Sequence, residues 1–138
     1  MIKVVLFDYG GVLSRLLVPQ YKVRRLAKAL HNQGISVAVL SNMNSLGGWG
    51  IRMLGLYHGF APVILSYQEG VRKPDPRIYQ IAIKKLGVKP NEILFVDNLV
   101  ENVRVAQAAG IQTLHADGTK RLIPTIKTIL KKENQLEI

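Results

Sequence analysis

The chain has no cysteine at all, so disulfides, thiolate metal centres and thiol nucleophiles are excluded from any account of it. Acidic residues are scarce: nine Asp plus Glu stand against nineteen Lys plus Arg, for a formal charge of +10. Aromatic residues make up 7% of the 138 positions, with a single tryptophan. No uninterrupted apolar run approaches the roughly 18–20 residues that a membrane-spanning helix needs. The apolar opening MIKVVLF runs into Asp8 and lacks a small-residue cleavage site, which is not the pattern of a secretory signal. These absences leave a globular chain of one domain, residues 1–138, of the composition usual for a soluble cytoplasmic protein.

The positive balance attracts anions of every kind, from phosphate esters to nucleic acid. The basic residues are nevertheless spread along helical segments (Lys22, Arg24, Arg25, Lys28; Lys84, Lys85; Lys120, Arg121, Lys127, Lys131, Lys132). Spread charge of this kind is the pattern of a solvated face, so nucleic acid is a possible partner but not the favoured one.

Strand-like and helix-like segments alternate. Ile2 to Phe7 is apolar except for Lys3, as in a strand buried on both faces. Pro19 to Asn32 reads as a helix with Val23, Leu26, Ala27 and Leu30 on one side, closed by Gly34. Val37 to Leu40 and Pro62 to Leu65 read as strands. Asp75 to Leu86 is an amphipathic helix with Pro76 in its first turn and Gly87 at its end. Ile93 to Val96 is a strand, followed by a helix to Ala109; Ile111 to His115 is another strand, and a basic helix from about Lys120 to Lys132 completes the pattern. Strands and helices alternating at this spacing predict an α/β fold: a three-layer, Rossmann-like arrangement of five parallel strands with right-handed crossovers. Asp8, Ser41 and Asp97 fall at the carboxyl ends of three strands, the edge where open α/β sheets build their sites. One stretch fits badly. Ser45 to Phe60 should be a helix yet contains five glycines, each costing roughly 1 kcal/mol in a helix interior. A broken helix is predicted there, with Trp49, Met53, Leu56 and Tyr57 packed into the core rather than forming a partner surface.

Four motifs stand in order: FDYGGVL, VLSN, RKPDP and LFVDN. Together they resemble the haloacid dehalogenase superfamily of hydrolases, mostly phosphatases, over essentially the whole chain. The resemblance implies a sheet with the first strand central and roles for particular residues. Asp8 matches the nucleophile that attacks phosphorus and forms an aspartyl phosphate. Ser41 and the N–H of Asn42 match the groups that hydrogen-bond the phosphoryl oxygens, and backbone N–H groups of Tyr9, Gly10 and Gly11 are placed to approach the same anion. Lys73 matches the lysine that neutralises charge between nucleophile and phosphate. Asp97 matches the principal acidic ligand of Mg²⁺, with Asp8, the Gly10 carbonyl and Asn98 beside it. Glu101 and Asn102, one turn on, are candidates for supporting that site.

The chain departs from the family's pattern in two ways. Relatives usually carry a second aspartate two residues after the nucleophile, which protonates the leaving oxygen and then activates water. Here that position is Gly10, and the lost assistance is worth roughly 10²–10⁴-fold. The Tyr9 side chain, directed to the other side of the strand, does not replace it. No room exists between Asp8 and Ser41, or between Ser66 and Lys73, for the helical cap that covers many relatives' sites. The reading is therefore a Mg²⁺-dependent phosphomonoester hydrolase without a cap domain, acting on a small or macromolecular phosphorylated substrate. The alternatives are a non-catalytic phosphate-binding scaffold and a phosphatase of polynucleotide ends. A cap supplied by a second subunit through Ser45 to Phe60 would make the protein an oligomer.

Overall fold

The computed structural model describes residues 1–15 and 18–138. Five strands form one parallel sheet: β1 (Val4–Phe7), β4 (Ser36–Ser41), β5 (Val63–Leu65), β6 (Ile93–Asp97) and β7 (Gln112–His115), in the order β5-β4-β1-β6-β7. A short antiparallel hairpin, β2 (Ser14–Arg15) with β3 (Val18–Pro19), follows β1. Six helices are described: α1 (Tyr21–Asn32), α2 (Ser45–Met53), α3 (Ser66–Glu69), α4 (Pro76–Leu86), α5 (Val100–Ala108) and α6 (Thr119–Asn134). The α/β class, five parallel strands and central first strand agree with the sequence reading.

Side-chain alternation along β1 shows why it lies in the middle. Val5 and Phe7 enter one apolar layer with Val23, Leu26 and Leu30 of α1 and Ile126 and Leu130 of α6. Val4 and Leu6 enter the other layer with Ile78, Tyr79 and Ala82 of α4 and Ala106 of α5. A strand apolar at every position can be buried only between two helical layers. The chain leaves β1 toward β4 on one side and reaches β6 on the other, so the strand order reverses beside Asp8.

The helix ends are set locally. Asp75 caps α4 by accepting from the Arg77 N–H at 2.9 Å, Pro76 opens its first turn, and Gly87 closes it at φ 67°. The first helix begins later than its apolar pattern suggests. Pro19 pairs with Ser14 in the hairpin, so α1 starts only at Tyr21.

The glycine-rich stretch corrects the sequence reading in part. Its first half stays helical as α2, capped by Asn44, and the chain turns at Gly55 and Gly59, both with positive φ. Gly48 is required: a Cβ there would lie 2.6 Å from Tyr67 Cε1, so only glycine lets the helix approach Tyr67. Tyr57 is buried and packs edge-on to Tyr9 at 5.5 Å between ring centroids. Trp49 and Met53, expected in the core, are 61% and 67% exposed. Gly48 is the fully buried residue of the helix and Ile51 packs partly buried against the core, on the side away from Trp49 and Met53. No described helix is long and apolar enough to cross a membrane.

Candidate active site

Asp8 follows β1 at the carboxyl edge of the sheet, where its N–H continues the ladder to the Val96 carbonyl at 2.9 Å. Its side chain is nearly buried. Lys73, delivered by the loop before α4, is 3% exposed and spends its three donors inside the protein. Nζ donates to Asp8 Oδ1 at 2.8 Å, to Asp97 Oδ2 at 2.7 Å and to the Leu40 carbonyl at 3.0 Å. Two carboxylates thus share one ammonium at the point where β1, β4 and β6 end. Burial pushes the Asp8 carboxyl up to about 6; the Lys73 ammonium holds it down against that rise, and the neighbouring Asp97 charge adds to it.

The lysine is itself held. Asn42, just after β4, donates from Nδ2 to the Lys73 carbonyl at 2.8 Å and accepts from the Lys73 N–H at 2.8 Å. This reciprocal clamp fixes the backbone from which the ammonium reaches into the sheet edge. The sequence offered Asn42 only as an N–H donor to phosphate. The two residues are far apart in the chain, and nothing short-range marks the pair.

Asp97 is fully buried. Its Oδ1 accepts from the Leu99 N–H at 2.8 Å, and its Oδ2 accepts from Asn102 Nδ2 at 3.0 Å as well as from Lys73. Asp97, expected to turn to a cation beside Asp8, has three protein hydrogen bonds on its two oxygens, of the roughly four that a carboxylate can accept. Of the two candidates one turn on, Asn102 is buried on Asp97 while Glu101 is exposed. Asn102 is anchored in turn by the Tyr79 hydroxyl, which donates to its carbonyl at 2.9 Å.

The groups that do surround the second Asp8 oxygen are Gly10 and Asn98. One end of the Asn98 amide lies 3.0 Å from Asp8 Oδ2 and 3.1 Å from the Gly10 carbonyl. Octahedral Mg²⁺ at about 2.0–2.1 Å sets neighbouring ligand oxygens about 2.9 Å apart, so these three groups have the spacing of a cation's ligands. Turned with its NH₂ inward, the amide donates to both oxygens; turned the other way, its oxygen would face a cation held there. The donor set is hard and oxygen-only, which suits Mg²⁺, but it carries a single carboxylate. Among the described residues no cluster of three His, Cys, Asp or Glu side chains could hold a metal. The residues fit the ion and predict modest affinity for it.

Glycine is needed at one of the two positions after Tyr9 and not at the other. Gly11 sits at φ +87°, and a Cβ there would lie 2.4 Å from Asn98 Nδ2. A side chain at Gly10 would meet nothing within 4 Å. The phosphate-binding expectation also changes in detail. The Gly11 N–H donates to the Ser14 carbonyl at 2.6 Å and is not free for an anion. The Tyr9 ring lies in the core against Tyr57, leaving only its backbone at the site.

A cavity of about 260 Å³ opens over these groups, bounded by Asp8, Gly10, Ser41, Lys73, Asn98 and Arg72. It adjoins a wider cleft of about 450 Å³ through shared walls at Asn42, Met43 and Arg72, with Tyr67 and Asn44 beyond. Arg72 forms no ion pair among the described residues and faces both spaces. Sequence reasoning did not single it out, although it stands next to Lys73 in RKPDP.

A nucleophile-type carboxylate, a buried lysine shared with a second carboxylate, and a set of three oxygen-bearing groups at one sheet edge agree with the comparison to known proteins. The family model for haloacid dehalogenase-like hydrolases matches residues 14–110. This chain belongs to that family. An uncharacterised protein from Corynebacterium glutamicum superposes with a TM-score of 0.85 at 28% identity, over 100% of this chain and 98% of that one. A haloacid dehalogenase family enzyme from Bacteroides thetaiotaomicron, solved with magnesium and inorganic phosphate, gives 0.72 at 21% identity over 88% and 99%, a likeness of fold. A phosphoserine phosphatase from Thermus thermophilus is 36% identical over 94 residues, which are 67% of this chain and 37% of the enzyme. The chain spans about half or less of the length of the curated relatives it matches.

Proposed function

We propose that this haloacid dehalogenase-like hydrolase is a Mg²⁺-dependent phosphomonoesterase in which Asp8 is the nucleophile. The observation that carries the reading is the division of labour at Asp8. One oxygen is fixed by Lys73, which Asp97 and Leu40 hold in place, and the other faces Gly10, Asn98 and the cavity. A carboxylate held this way presents an oxygen in a set direction, which is the requirement for in-line attack.

Asp8 Oδ2, the Gly10 carbonyl and Asn98 would hold Mg²⁺. When bound, the ion offsets charge on the phosphoryl oxygens as they approach an anionic nucleophile. The protein's own groups do the rest. Ser41 and the Asn42 N–H receive the phosphoryl oxygens at the end of β4. Lys73 neutralises Asp8 before and during attack. Attack of the Asp8 carboxylate on phosphorus forms the aspartyl phosphate as the ester oxygen leaves with the bonding pair. Water then cleaves the acyl phosphate and restores the carboxylate. No side chain at Gly10 protonates the leaving oxygen or deprotonates that water, so both halves run on solvent alone. Asp97 acts through Lys73 and Asn102.

The leaving group occupies the wider cleft past Arg72 and Tyr67. Its dimensions suit a small phosphorylated molecule, and phosphatases among the relatives support that class. Hydrolysis of p-nitrophenyl phosphate, whose leaving group needs no proton, tests the reading. Activity should require Mg²⁺ and disappear in Asp8→Asn. Equal silence of both folded proteins with Mg²⁺ present would instead favour the non-catalytic phosphate binder that Gly10 also suits.

A further inference from the structure

The wider cleft beside the Asp8 cavity has a wall of one electrical sign. Arg72 lines both spaces, and no Asp or Glu lines the wider one. The Arg72 side chain is exposed and has no hydrogen bond or ion pair among the described residues. The two carboxylates nearest to it in sequence are both taken by other cations. Arg77 holds Asp75 through Nε and Nη2, and Lys85 holds Glu69.

The other polar side chains of the cleft have their acceptors engaged within the protein. Asn42 uses both ends of its amide on Lys73. Ser66 Oγ accepts from the Met43 N–H at 2.9 Å and donates to the Met43 carbonyl at 3.1 Å. Asn44 Oδ1 accepts from the Gly47 N–H at 2.7 Å. What is left is donors: the Arg72 guanidinium, the Asn44 NH₂ and the Tyr67 hydroxyl, whose oxygen accepts from Gln68 Nε2 and whose proton goes to no described residue. Met43 and Val71 add apolar surface. Such a wall favours an acceptor-rich, negatively charged ligand. It offers nothing to an ammonium group and little to the hydroxyls of a sugar, which need acceptors as well as donors.

In the proposed reaction the phosphoryl group lies over Asp8 and the leaving group extends past Arg72, which borders that cavity and the cleft beyond it. We infer that Arg72 is a specificity-determining residue, which pairs with a second anionic group on the leaving group of the phosphate ester. The inference rests on the proposed phosphoryl chemistry at Asp8 and adds the class of substrate, a phosphorylated acid or a bisphosphate. A carboxylate and a phosphate both offer the two oxygens that a planar guanidinium fork meets at once. Arg72 sets preference rather than chemistry, for it is Lys73 that touches Asp8.

Phosphonates, which resemble phosphate esters but cannot be hydrolysed, test this on the full chain with saturating Mg²⁺. Calorimetry compares 3-phosphonopropionate and propane-1,3-diphosphonate with propylphosphonate and 3-aminopropylphosphonate. At least one of the doubly anionic compounds should bind about tenfold more tightly than propylphosphonate, and the aminated one no more tightly than propylphosphonate. The tighter of the two anionic compounds identifies the second group as carboxylate or phosphate. In Arg72→Gln the preference should shrink to about twofold or less, while Arg72→Lys, which keeps the charge without the fork, should retain part of it. The inference is overturned if neither doubly anionic compound outbinds propylphosphonate. It is also overturned if Arg72→Gln weakens all four compounds by one factor, since Arg72 would then grip the phosphoryl group itself. Hydrolysis of p-nitrophenyl phosphate by the parent separates this inference from the reading beneath it. Turnover without the preference removes the second anion alone. The preference without turnover removes the phosphatase and leaves Arg72 recognising a second anion in a non-catalytic binder.

Discussion

The two halves of the active site are built differently. On one side Lys73, Asp97 and Asn102 are buried, and each side chain is hydrogen-bonded within the protein. On the other, Gly10 has empty space where a side chain would stand, and Asn98 brings an amide where a carboxylate would add charge. The buried half fixes one oxygen of Asp8, the proposed nucleophile, and cannot be altered without stranding a charge. In the proposed mechanism the open half sets proton transfer and metal affinity, and it can be altered at little structural cost. The contrast locates slowness, if the enzyme is slow, in the open half.

Gly10→Asp is the sharpest way to probe that contrast. The position lacks positive φ and has room, so the variant should fold as the parent does. Restoring a carboxyl there should raise turnover by roughly 10²–10⁴-fold, of p-nitrophenyl phosphate through faster hydrolysis of the aspartyl phosphate and of alkyl phosphates through leaving-group protonation as well, as steady-state kinetics on the two substrates would show. In the buried half, Lys73→Met should abolish activity and cost roughly 3–5 kcal/mol in urea unfolding, because Asp8 and Asp97 would face each other without the ammonium. Asn98→Asp should tighten Mg²⁺ binding by roughly tenfold in calorimetry by adding a second carboxylate to the oxygen set.

The smallest effect lies outside both halves, at the Asp75 cap of α4. Its carboxyl is lowered from 3.8 to about 2, first by the side-chain hydrogen bond from Arg77 and then by the Arg77 backbone N–H. An acid depressed on folding contributes stability above its unfolded pKa and loses it as pH falls through the folded one. Asp75→Asn should therefore lower thermal stability slightly at neutral pH, with the difference from the parent vanishing between about pH 4 and pH 2. A surface pair such as this one is screened by solvent, so the change is small.

Most of the sheet was legible because its strands are apolar at nearly every position and end in polar residues. The apolar runs Ile2 to Phe7 and Ile93 to Val96 lie within two residues of the observed Val4–Phe7 and Ile93–Asp97. The α2 region was not legible, since the reading assumed that large apolar side chains face inward. In the structure Gly48 makes the close contact, and Trp49 points out. Within the site, Asp8 and Lys73 could be picked out by motif, and Asn102 by helical spacing. The Asn42–Lys73 clamp and the engagement of Asp97 oxygens depend on distances between segments remote in sequence. No local pattern carries them. Asn98 was legible as a departure, but its approach to the Gly10 carbonyl was not.

The central claim is that Asp8 takes the phosphoryl group onto its own carboxylate. Without a base at Gly10, hydrolysis of that intermediate is unassisted, so the intermediate should accumulate during turnover. Intact-protein mass spectrometry of acid-quenched enzyme, with Mg²⁺ and excess p-nitrophenyl phosphate, measures this directly. The account predicts a mass increase of one phosphoryl group on the whole chain, absent from Asp8→Asn. Turnover that persists in Asp8→Asn, with no adduct on the parent enzyme, would contradict it.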